Sequence, residues 1–427
     1  MVSKLNFYSL LRPKVLAGVA TILAICISSA RGIENLGVND ASGYVDQAKG
    51  VFKGSNYVFT HPESFGHGLA FSLVIALTFF LTNTQSLFLF KIILAIGHGL
   101  STWLVARIGI SLGLKKKFWV CVAFFFAIDP FILSAATDIQ TESLVTLAVL
   151  YWAYVYLIPF QDLVGGKWHV LLYSFSGIYI TLIRPNFLVV FLAITFLVFR
   201  KWYKAGITLR FLSIGVSIFL ILLSIYEIFL TKLNSGFVFL ANYGGLGVAY
   251  LCRKEFVPQY LGIATSAQNA EINNWVTTID PLSNQILERN PGASSAELNS
   301  ELYRIGISNC LSNPIESAWL LILKSFAVWR PTLVFGAYGS EIFFFSLLLW
   351  LPLTVIVIWF IFSRKLKDKA NELRVFFILG AASFTFSVLM TTSTHTRHRI
   401  AFAESFYWLF SLFWLQKILA QRQKKIL

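Results

Sequence analysis

The chain has 427 residues, enough for two or three soluble domains, yet 57% are hydrophobic, 16% aromatic and only 13% charged. That balance excludes a soluble enzyme, a disordered chain and a coiled coil, and predicts an all-α polytopic membrane protein. The formal charge of +15 suits basic cytoplasmic loops, and no basic, aromatic-interleaved module points to nucleic acid.

Ten apolar runs are expected to cross the bilayer: 15–30, 86–106, 118–136, 143–160, 170–183, 186–199, 211–230, 342–362, 375–390 and 400–416. The first follows Lys4, Arg12 and Lys14 as a signal peptide would, but Arg31 and Glu34 come after it with no cleavage site, so it is expected to be retained. The run 69–81 decides the orientation of everything after it. Counted as a crossing, it sends Lys115, Lys116, Lys117, Arg200, Lys201 and Lys204 outward; read as a juxtamembrane or re-entrant helix, it keeps them inside, as the positive-inside tendency requires. Its length also falls well short of the ~20 residues that a crossing needs.

Three parts follow from this reading. Residues 1–230 form an N-terminal transmembrane module with a first outer loop at 31–67, residues 231–341 an extracytoplasmic loop region, and residues 342–427 the last transmembrane helices. Both termini are then cytoplasmic, in a multi-pass protein of a bacterial inner membrane. Gly244, Gly245, Pro258, Pro281, Pro291 and Pro314 break the outer region into loops and short helices. Within it, 314–332 is apolar with Trp319 and Trp329, which suits a helix lying on the outer surface. Of the cysteines, Cys26, Cys121, Cys252 and Cys310, none has metal-ligand spacing. Cys252 and Cys310 share the outer region and can pair if it is oxidising; two unrelated thiols is the plainer reading.

The residues able to carry chemistry gather on the outer side. Asp40 opens a row with Tyr44 and Ala48 at helical spacing. A carboxylate there can take a proton from a hydroxyl, or simply cap the helix. His61 and His67 flank a proline and glycine turn, and their six-residue spacing is weak evidence for a metal. Asp129, Asp138 and Glu142 fall at the outer junction of two predicted helices, where acids are costly without a cavity or a cationic partner; helix capping by Glu142 with Thr141 is the alternative. Arg184, Lys324, Arg330, Arg397 and Arg399 lie on the same side and could grip a phosphate, or anchor to lipid headgroups. No P-loop, nucleophile elbow or HExxH motif is present.

This arrangement resembles the GT-C membrane glycosyltransferases, especially bacterial relatives of the protein mannosyltransferases and aminoarabinose transferases. Asp40 to Ala48 is similar to their acidic first-loop motif, His61-Pro62 to a proline-led juxtamembrane helix, and Asp129-Pro130 to Glu142 to a second-loop segment with a late acid. Leu182-Ile183-Arg184-Pro185 resembles a recurrent Leu-Thr-Arg-Pro, Asn313-Pro314 with Lys324 to Trp329 an amphipathic Lys-Trp helix, and Arg397-His398-Arg399 a late Arg-Tyr-Arg. Ala41 stands where a second acid is common, and His61-Pro62 where a double proline is usual.

The resemblance implies a GT-C-like bundle of about ten transmembrane helices with juxtamembrane helices. It implies inverting transfer of a sugar from a polyprenyl-phosphate donor to a glycan, lipid or protein acceptor at the outer face. Asp40 would be the base, with Glu142 or Asp138 orienting acceptor or sugar; Tyr44, His61, Arg184, Lys324, Arg330, Arg397 and Arg399 would bind the substrates and hold the leaving phosphate. No cofactor is required, the departures above leaving a divalent metal open. Two competing readings are an outer-leaflet polysaccharide polymerase or ligase, and a solute or lipid transporter, for which no inverted repeat is visible.

Overall fold

A computed structural model describes residues 12–37, 40–54, 69–163, 166–233, 236–237, 240, 248–249, 252–261, 263–268, 281–330, 335–363, 366, 368–389 and 400–426. The described residues contain helices and no strand. In chain order these are α1 Pro13–Ala30, α2 Asp40–Phe52, α3 Leu69–Thr82, α4 Phe88–Ser111, α5 Lys116–Ile128, α6 Pro130–Thr137, α7 Glu142–Leu157, α8 Trp168–Ile183, α9 Phe187–Lys204 and α10 Leu209–Leu233. They continue with α11 Val257–Leu261, α12 Pro281–Arg289, α13 Ser295–Ser312, α14 Pro314–Trp329, α15 Phe335–Phe362, α16 Asp368–Leu389, a π-helical turn Ile400–Glu404 and α17 Ser405–Ile426.

The helix boundaries follow local chemistry. Pro13 opens α1 and Pro314 opens α14, where a missing N–H costs nothing. Ser294 and Glu297 form a reciprocal capping box at the start of α13. The expected span 118–136 is broken: Asp129 ends α5 and accepts hydrogen bonds from the backbone N–H of Phe131 (3.0 Å) and Ile132 (3.2 Å), capping α6. The chain bends there by 53°, because Pro130 cannot continue the α5 hydrogen-bond ladder.

α1 packs along α4, and α4 along α5 and α7. The α1–α4 approach needs Gly99, since a Cβ there would sit 2.0 Å from Thr21 Oγ1 and 2.7 Å from the Ala17 carbonyl. A second group pairs α9 with α16 and α8 with α10, while α17 joins α15 to α5. Aromatic rings fill the interior; Phe360 stacks on Phe410 at 4.1 Å and Phe377 on Phe402 at 5.8 Å. At one end the basic loops are tied down: Lys201 pairs with Glu372 at 2.7 Å, and Gln416 accepts from the Lys115 N–H at 2.7 Å.

Much of the outside is apolar. Leu220, Ile221, Ile225 and Ile228 of α10, and Phe344, Leu348, Val355 and Phe362 of α15, are exposed, an area far larger than a soluble surface tolerates. Among the described residues, five helices are long and apolar enough to cross a bilayer, or six if the bent α5–α6 pair is one span. That is fewer than the ten expected runs. α7 and α8 have 16 residues each, about 24 Å at 1.5 Å per residue, and α9 and α17 finish in basic residues. Helix α3 has 14 residues, about 21 Å, and packs on α2, α4 and α8.

In the outer region, α11 packs on α14 and α12 on α13. Cys252 and Cys310 are joined by a disulfide, with Cα atoms 5.3 Å apart; the reading of two unrelated thiols gives way. Cys26 and Cys121 are free and exposed. Helix α14 lies against α16: Trp329 Nε1 donates to Thr385 Oγ1 at 2.8 Å and its ring meets Phe377 and Phe384 edge-on.

Candidate functional site

The α6–α7 turn gathers the acids. Glu142 is the first residue of α7, 2% exposed, placed where the helix dipole favours a negative charge. Facing it is Arg184, which follows α8 because Pro185 disfavours a helical conformation in the residue before it. Arg184 Nη2 lies 2.5 Å from Glu142 Oε1, and its Nε 2.5 Å from Thr141 Oγ1; Thr141 in turn donates to Glu142 Oε2 at 3.3 Å.

Asp138, 5% exposed, ends α6. Its Oδ1 meets Arg31 Nη1 at 2.8 Å, and its Oδ2 accepts from Ser134 Oγ at 2.9 Å and Gln140 Nε2 at 3.4 Å. Beside it runs the first outer loop: the Ile139 N–H donates to the Leu36 carbonyl at 3.2 Å, and Gly37 lies against the Asp138 carboxylate. Asp40 opens α2 three residues later, so its backbone lies within about 11 Å of Gly37 by chain reach. The Asp40 side chain lies outside the described residues, and so do His61, Arg397 and Arg399.

From the other side, α16 reaches the same end of the bundle. Ser387 Oγ donates to the Asn186 carbonyl, two residues past Arg184, and Leu389 offers its carbonyl to Lys324 Nζ at 3.1 Å. Lys324 is fully buried, and that burial pushes its pKa down to about 7. Arg330 Nη1 donates to the Tyr260 carbonyl at 3.0 Å, in the outer region. Tyr44 packs elsewhere, its buried ring meeting Phe71 of α3 edge-on at 4.9 Å. The structure thus pairs Arg184 with Glu142 and sets Asp138, held by Arg31, at the same turn, while Lys324 meets the end of α16, Arg330 the outer region and Tyr44 the α2–α3 contact.

Three charged residues here were missed in the sequence. Arg31 holds Asp138; Lys91 of α4, 4% exposed, donates to the carbonyls of Gly32 (3.2 Å) and Asn35 (2.8 Å); and Glu404 is buried in the π-helical turn, which packs against α6, α7, α16 and α17. Lys91 and Glu404 both stand inside runs counted as spans, and a charge in such a run is a signal in its own right. Asp129, read as a possible acid of the site, caps α6 and accepts from Trp408 Nε1 at 3.0 Å. Among the described residues, no group of three or more His, Cys, Asp or Glu side chains is arranged to hold a metal ion.

No protein-family model matches the chain, and no curated protein matches it either.

Proposed function

We propose that the protein is a membrane glycosyltransferase that moves a sugar from a polyprenyl-phosphate donor to an acceptor hydroxyl on the outer face, with inversion at the anomeric carbon. The observation that carries the reading is the convergence of three segments at one end of the bundle: the first outer loop, the α6–α7 turn with its acids, and the α8–α9 junction with Arg184. A base and a cationic group at a shared site suit displacement of a phosphate, which is already a good leaving group and needs no covalent enzyme intermediate.

In this mechanism Asp40 takes the acceptor proton as the acceptor oxygen bonds to the anomeric carbon. The bond from that carbon to the phosphate oxygen breaks on the opposite side, and polyprenyl phosphate departs. Arg184 is a described cation at the turn, and Arg397 and Arg399 are proposed as further cations for the leaving phosphate. Glu142 serves by holding Arg184. The outer region contributes acceptor contacts, and the Cys252–Cys310 bridge supports its location in an oxidising compartment. The bundle then makes about ten crossings of a bacterial inner membrane with cytoplasmic termini, the shorter helices tilting or relying on flanking basic residues.

The test is release of free polyprenyl phosphate by purified protein offered candidate lipid-linked sugars and acceptors. Asp40→Asn is expected to reduce that release by at least about 100-fold while the protein still folds. Wild-type turnover in Asp40→Asn removes the base, and solute movement in vesicles without lipid-phosphate release favours a transporter instead.

A further inference from the structure

We infer that Asp138 and Lys91 are positioning residues, which clasp the first outer loop so that α2 starts from a fixed frame. The inference rests on the proposed sugar transfer and deepens it, because α2 begins with the proposed base. Over residues 31–37 the loop is stitched to two segments, the α6–α7 turn and the start of α4. Arg31 reaches Asp138 across the α6–α7 turn at 2.8 Å. Lys91 of α4 donates to the carbonyls of Gly32 and Asn35. Glu34 Oε1 accepts from Ser86 Oγ at 2.9 Å and the Leu87 N–H at 3.3 Å, and the Leu36 carbonyl accepts from Ile139.

A connecting loop is ordinarily solvated and mobile, and burying an ammonium group is costly without compensation. Here Lys91 is 4% exposed, and two carbonyls of the loop compensate it. Gly37 completes the clasp. Its φ of +86° suits glycine, and an added Cβ would lie 2.4 Å from Asp138 Cγ. Both Asp138 oxygens are engaged within the protein, so Asp138 acts through the loop and not on the substrate. A displacement of the base by about 1 Å can cost on the order of 100-fold in rate, which is the reason to fix this loop from both segments.

The test uses the full-length protein with Asp138→Asn, Lys91→Met and Gly37→Ala. Each is expected to lower kcat about 10- to 100-fold with donor KM changed less than about 3-fold, whereas a merely structural role lowers thermal stability and leaves kcat of the folded fraction intact. An activity-independent readout is the distance distribution between spin labels at Asp46→Cys and Leu100→Cys, with Cys26 and Cys121 replaced by Ser: narrow in the parent, broadened by Gly37→Ala. Gly37 is exposed, so this variant stands even if Asp138→Asn misfolds. Unchanged widths together with wild-type kcat in Gly37→Ala overturn the clasp. If instead Asp40→Asn keeps wild-type turnover while the distribution broadens, the sugar-transfer reading fails and the clasp remains.

Discussion

Glu142, Arg184 and Thr141 illustrate how a charged pair survives in an apolar bundle. Each partner is almost wholly withdrawn from solvent, at 2% and 11% side-chain exposure, and the desolvation this entails is offset only because the geometry is close and Thr141 bridges both groups. Lys324 shows the opposite balance: its amino group donates to the Leu389 carbonyl, and burial lowers its pKa from 10.5 to about 7. The unfolded chain therefore holds this proton up to the ordinary lysine range while the folded protein has released it above neutrality. Stability should then rise with pH between about 7 and 10.5, by at most about 1.4 kcal/mol per pH unit, and flatten below that window. Lys324→Met should abolish this segment of the dependence; thermal unfolding of both proteins across the window checks it, and parallel curves would place the proton elsewhere.

At the scale of elements, the outer region is held together as much by covalent chemistry as by its core. Its buried cluster is small, built on Ala249, Tyr260, Leu302 and Ala327, while the Cys252–Cys310 bridge closes a 58-residue separation. Closing a loop of that length contributes up to about 4 kcal/mol in the chain-entropy account. Cys252→Ser with Cys310→Ser should loosen α11 and α13 ahead of the transmembrane helices, giving earlier proteolysis of 252–312 with the bundle's unfolding temperature nearly unchanged; simultaneous loss of both would show that the regions fold as one. Hydropathy made most helices legible, because burial and lipid contact both select apolar residues. It did not reveal the break at Asp129, since a buried capping carboxylate differs from a functional one only in its partners, Phe131, Ile132 and Trp408. Nor could spacing pair Arg184 with Glu142 or Arg31 with Asp138, contacts between residues 42 and 107 positions apart. Lys91 was legible in principle, as a lone cation in an apolar run.

For the whole molecule, the proposed orientation rests on the distribution of charge and on the disulfide. The ties Lys201–Glu372 and Lys115–Gln416 join basic loops at one end, while Arg31–Asp138, Glu142–Arg184 and the outer region belong to the other. Helix α3 is the element on which this depends, because a crossing there would separate the first outer loop from everything after it. Its contacts with α2, α4 and α8, among them Phe71 against Tyr44 and Phe90, go with the proposed placement of α3 on the loop's side. With Cys26 and Cys121 replaced by Ser, a cysteine at exposed Lys53, before α3, and another at exposed Asn290, far beyond it, should therefore both react with an impermeant thiol reagent in intact cells. A cysteine at exposed Lys204 should react only after permeabilisation. If positions 53 and 290 label from opposite sides, α3 spans the bilayer, and the first outer loop cannot share a site with the α6–α7 turn that its Leu36 and Gly37 touch.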